Sequence, residues 1–299
     1  MTNASPVAIA LVLAGGLATA AAAQQRTMTP EQRAQQEREF QAELKAPRQI
    51  DALNSVWLEE LTWMEIRDAI AAGKTMVLVP TGGIEQNGPW VAMGKHNYVL
   101  QGTCEAIARA LGNALCAPIV KFVPEGNIDP PSSHMRYPGT ISLRQETYEQ
   151  VLDDIGSSLK AHGFKHIIYI GDSGGNQSGQ AAVAKRQNER WGQPIAHHVG
   201  EYYNYNDVRE YLEGPLGMKQ PTSDGIHDDY YITALMMIVD PTVVRYDQRV
   251  RAGKATINGL SIAPKEKTIE IGKKLLQFRV DATVRAINAA LAASTSSRQ

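Results

Sequence analysis

Short, uninterrupted apolar runs alternate with stretches of helical spacing along most of this chain. MVLVPTG (76–82) has the density of a buried strand and leads into a glycine-rich turn. Residues 98–111 repeat their apolar positions at helical spacing, and APIVKFV (117–123) predicts the next strand. A helix follows over 144–162, stopped by Gly163. HIIYIGDSGGN (166–176) predicts a strand and a tight turn, then a helix to about Trp191. PIAHHVGEYY (194–203) is strand-like, YITALMMIV (231–239) has the density of a buried helix, and 266–292 makes a long terminal helix. Before these, the globular pattern starts near Trp57, with a helix from Thr62 to Ala72. Strand–helix alternation of this length predicts one α/β domain over 51–299: a single three-layer domain whose mostly parallel sheet is flanked by helices.

The first fifty residues follow another pattern. Val7 to Ala23 carries no charge and ends in small residues, so 1–23 is expected to be a secretory signal peptide cleaved near Ala23. The mature protein would then be periplasmic or secreted, with no membrane association after cleavage. Residues 24–50 are rich in Gln, Glu and Arg and predict a polar arm or an isolated helix. With 30 basic against 31 acidic residues, no global field draws the protein to nucleic acid. Cys104 and Cys116, the only cysteines, are expected to be small core hydrophobes rather than a bridge or a metal pair.

In open α/β sheets ligands sit at the carboxyl ends of strands. Two turns qualify, TGGIEQNGPW after the first strand and GDSGGNQ after the central one. Their polar groups, with histidines elsewhere, form the candidate chemistry. Glu85 and His96 are an oxygen–nitrogen pair suited to a metal. His134 lies in the proline-rich loop PPSSHMRYPGT, and His227 lies among carboxylates in SDGIHDDYY; each is a candidate general acid or base. Asp172 could orient a base or bind metal. Ser173 stands on a strand-to-helix turn between glycines, where a serine nucleophile with His227 or His134 is an alternative mechanism.

Taken in order, these segments resemble the creatininase (creatinine amidohydrolase) family. Pro80 to Pro89 is similar to P-x-G-x-x-E-Q-H-G-P, and Gly94-Lys95-His96-Asn97 falls where the family has G-T-D-T. Ser133-His134 with Pro138-Gly139-Thr140-Ile141-Ser142 resembles S-x-E-H-x-x-F-P-G-T-I-S. His162-Gly163-Phe164 and Gly174-Gly175-Asn176 resemble H-G-F and N-G-H-G-G-N, and His227 to Leu235 falls on H-A-G-x-x-E-T-S-L. The resemblance implies an amidohydrolase with a two-metal site, commonly zinc or manganese, and often a hexamer. It also marks departures. Asn87 replaces a histidine ligand, His96 the bridging aspartate, Ser173 the central histidine and Ile232 a glutamate.

The expectation is therefore a hydrolase of an amide, cyclic amide or related C–N bond, acting on a small molecule. At most one divalent metal, Zn or Mn, would be held by Glu85, His96, Asp172 and His227. The catalytic candidates are His227, His134, Asp172 and Ser173. The alternatives are a metal-independent serine hydrolase or lactonase, and a periplasmic binding protein that has lost its metals. A homo-oligomer, a hexamer by resemblance, is expected.

Overall fold

The computed structural model describes residues 28–296, so the expected signal peptide lies outside the described residues. The chain divides into two units, one ending at Pro47 and the other running from Arg48 to the C-terminus. In the first, α1 (Pro30–Lys45) starts at a capping box in which Thr29 and Gln32 each bond the other's backbone N–H, and it buries no residue. Most of its residues are polar or charged.

The second unit is built on four parallel strands in the order β2-β1-β3-β4: β1 (Met76–Thr81), β2 (Ala114–Cys116), β3 (His166–Gly171) and β4 (Ala196–His198). All six residues of β1 are buried, as a strand covered on both faces requires. Helices carry the chain back between strands: α2 (Trp63–Ala71) before β1, α3 (Lys95–Leu111) between β1 and β2, α4 (Gln145–Ala161) before β3 and α5 (Gln177–Trp191) between β3 and β4. α4 packs on α5 beside β3, while α3 packs on β1 and β2.

Beyond the sheet lie α6 (Tyr205–Glu213), α7 (Tyr230–Val239), α8 (Tyr246–Arg251), a small hairpin of β5 (Thr256–Ile257) and β6 (Leu260–Ser261), and α9 (Lys265–Ser296). α7 is buried from Tyr230 to Met237 because α3 and α9 both pack against it in a second apolar core. The α7–α9 contact is close. A Cβ on Gly272 would lie 2.3 Å from the carbonyl oxygen of Ala234, so no larger residue fits there without separating the helices.

Two expectations need correction. The apolar run 117–123 is not a strand; β2 ends at Cys116 and the run makes only isolated bridges, Thr81 to Val120 and Val123 to Ser142. Pro118 lacks the N–H that a continuous ladder needs, and Lys121 and Phe122 face solvent. Cys104 and Cys116 are fully buried, as expected, yet they are also joined as a disulfide with Cα atoms 6.5 Å apart. The turn at Gly112 folds the end of α3 back onto β2, bringing together residues whose separation of 12 gave no sign of contact.

Candidate active site

The parallel sheet sends several loops to its carboxyl edge, and a cavity of about 520 Å³ opens there. The loop after β1 delivers Glu85. The first turn of α3 delivers Lys95 and His96. Asp172 and Ser173 follow β3, and the segments around 125–134 and 226–232 bring Glu125, His134, His227 and Ile232 to the same walls. Asn176 braces this edge: its Nδ2 donates to the carbonyl oxygens of Thr81 and Gly82, both at 2.9 Å.

Glu85 is the centre of the arrangement. It is 2% exposed, and its Oε1 accepts from Lys95 Nζ at 3.0 Å and lies 2.8 Å from His96 Nε2. His134 Nε2 lies 3.3 Å from the other oxygen, and His227 Nδ1 lies 3.8 Å from Oε1. Burial alone would raise the Glu85 pKa. The hydrogen bond and charge of His96, with the charge of Lys95, outweigh it and hold the carboxylate ionised.

Glu125 behaves oppositely. Burial, and then the neighbouring charge of Glu85, push its pKa up to about 9, so the two carboxyl groups hold one proton between them near neutral pH. Its Oε2 accepts from Ser173 Oγ at 3.5 Å. The approach of Glu125 depends on Gly83, where a Cβ would stand 2.0 Å from Oε1.

A second charge network lies deeper. Asp172 is fully buried; Oδ1 accepts from Arg279 Nη2 at 2.9 Å, and Oδ2 accepts from Tyr205 OH at 2.5 Å and lies 2.8 Å from His96 Nδ1. Burial raises the Asp172 pKa, but the charge of Arg279 and the bonds to His96 and Tyr205 bring it below the ordinary value. Arg279, fully buried on α9, also donates to the Tyr202 carbonyl oxygen at 2.9 Å.

These contacts decide what each candidate can do. Both ring nitrogens of His96 face carboxylate oxygens, and Asp172 is engaged by Arg279, Tyr205 and His96. Asn87 is likewise committed, its Nδ2 donating to the carbonyl oxygens of Glu85 at 3.0 Å and Ala92 at 3.3 Å to brace the loop. Ile232 adds only an apolar surface to the wall. Ser173 has Glu125 as its side-chain partner and makes no described hydrogen bond to a histidine, so the serine triad is not assembled.

Glu85, His134 and His227 do converge. One ligand atom from each lies within 4.8 Å of the others, and the two imidazole rings are 4.6 Å apart. His227 Nδ1 bonds the Gln86 carbonyl oxygen at 3.0 Å, the outer contact that commonly fixes a metal-binding imidazole. One carboxylate with two histidines is also a donor set of catalytic zinc. These residues fit one ion. Ile232 offers no ligand, and Asn87, His96 and Asp172 are engaged by other groups of the protein.

Sequence reasoning singled out Glu85, His134 and His227, which the structure brings together, and missed Glu125 and Arg279 as parts of the site.

Known proteins place this architecture. The chain is similar to the creatinine amidohydrolase of Pseudomonas putida, 23% identical over 223 residues that cover 70% of this chain and 82% of that one. A mycofactocin precursor peptide peptidase of Mycolicibacterium smegmatis is 28% identical over 113 residues, 36% of this chain and 43% of that protein. Two solved structures, one described as "Creatininase Mn" and one a creatininase mutant of "Zn-Zn type", each superpose with a TM-score of 0.54 at 22% identity, covering 80% of this chain and 98% of theirs. The family model for creatininase, creatinine amidohydrolase, matches residues 59–287, and the chain therefore belongs to the creatininase family of hydrolases.

Proposed function

We propose that this protein hydrolyses the C–N bond of a small amide or cyclic amide, using one divalent ion, Zn or Mn, held by Glu85, His134 and His227. The convergence of those three side chains on the cavity carries the reading. The metals named for the solved relatives agree with it. Such an ion supplies charge to polarise a carbonyl and to lower the pKa of water.

The protein's own groups account for the rest. The cavity volume suits a small molecule, and Tyr203, Tyr231 and Ile232 give it apolar walls. Glu85 stays ionised. Glu125, beside it, holds a proton at neutral pH and is placed to pass that proton to a departing nitrogen. The Asp172–Arg279 pair anchors His96, which holds Glu85 in place. We also propose, from the N-terminal sequence alone, that the protein is exported with cleavage near Ala23, and from family likeness that it works as a homo-oligomer.

A screen of small linear and cyclic amides, with and without a chelator, tests the function. The expected result is hydrolysis that stops on chelation and returns with Zn or Mn. Hydrolysis indifferent to chelation would remove the metal from the proposal.

A further inference from the structure

Lys95 occupies a position that local physics disfavours twice. It opens α3, where its charge adds to the positive end of the helix dipole; the N-cap is Gly94 with no side-chain cap, and the first turn holds no acidic residue. Its side chain is also only 3% exposed, so the ammonium has lost most of its hydration. Glu85 at 3.0 Å is what compensates, and the charged pair is stable only as a pair.

The neighbouring network solves the same problem differently. Asp172 is answered by Arg279, which is fully buried and takes no part in lining the cavity. Lys95 does line it, together with Glu85, Glu125, His134 and His227. An ammonium has three N–H donors, and Glu85 takes one at 3.0 Å.

We infer that the Lys95 ammonium serves as the second cation of this site. It is a fixed positive charge that neutralises Glu85 and offers its remaining donors to the substrate oxygen that gains negative charge during hydrolysis. This rests on reading Glu85, His134 and His227 as ligands of one ion, and it explains how a single ion suffices. Oxyanion stabilisation of this kind needs a preset donor in a dry pocket, which a buried lysine supplies without reorganisation.

The test is zinc affinity, measured on the full chain by competition with a chelator, in the wild type, Lys95→Met and Lys95→Arg. Removing a like charge beside the ion should tighten zinc binding by roughly tenfold in Lys95→Met, while Lys95→Arg stays near wild type. If Lys95→Met fails to fold, Lys95→Gln, which keeps an N–H donor without the charge, replaces it. Unchanged or weaker zinc binding in the folded neutral variant would overturn the inference, as would two zinc ions on the wild type. A wild type that binds no zinc overturns the ligand assignment instead. The part of Lys95 is then decided by turnover of whichever amide the screen identifies. A fall of roughly a hundredfold in kcat in the neutral variant, partly restored by arginine, supports the inference, and unchanged kcat ends it.

Discussion

The site contains two buried carboxylates that share one histidine and meet opposite fates. Asp172 is fully enclosed, and Arg279, Tyr205 and His96 consume its oxygens. Glu85 sits 11 residues before His96 at the cavity wall, with two further histidines beyond it, one of them, His227, 46% exposed at its side chain. Closure of charge by the chain itself makes a brace. A carboxylate whose histidine neighbours remain open to the cavity makes the proposed ligand site. The same side-chain types serve both purposes, and only their partners distinguish them.

Removing Arg279 should break this contrast most severely. Arg279→Met leaves Asp172 buried without its cation, which costs about 3–5 kcal/mol in equilibrium urea denaturation. Adding Asp172→Asn to that variant should recover part of the loss, since the pair is mutually compensating.

The carboxyl pair at the cavity wall gives the next effect. In the metal-free protein Glu125 keeps its proton to about pH 9, whereas the unfolded chain releases it near 4.5. The unfolded state therefore binds fewer protons across that window, and stability should fall as pH rises from 4.5 to 9. Glu125→Gln should flatten the profile of denaturation midpoint against pH. Asp172 has the opposite sign. Its folded pKa lies below 3.8, so its contribution is complete above that value and is lost only as pH falls further.

His134→Ala and His227→Ala should each lower metal affinity by roughly 10–100-fold, and activity with it, while leaving stability within about 1 kcal/mol because both rings are partly exposed. Equilibrium dialysis and thermal melts measure the two quantities. The smallest effect belongs to Ser173→Ala. It should retain turnover within roughly threefold, whereas a serine nucleophile would lose nearly all of it.

The sequence made the ligand face legible because Glu85, His134 and His227 each lie in a local motif with glycine or proline at fixed offsets. The sheet was equally readable, since β1 and β3 are uninterrupted apolar runs followed by glycine turns. The brace was not readable. Arg279 is 107 residues from Asp172 and sits in a helix whose periodicity marks an apolar face, so nothing local announces an ion pair. Glu125 follows a proline in an irregular loop, and only the fold brings it beside Ser173, 48 residues later. His96 and Asp172 were legible as polar groups near the site but not as each other's partners.

The proposed site holds one divalent ion, and its own side chains supply the remaining charge. Elemental analysis of the purified full chain, with zinc titration after chelation, tests it most directly. The expected result is one ion per chain, lost in Glu85→Gln. Two ions per chain, or one ion that survives Glu85→Gln unchanged, would contradict it.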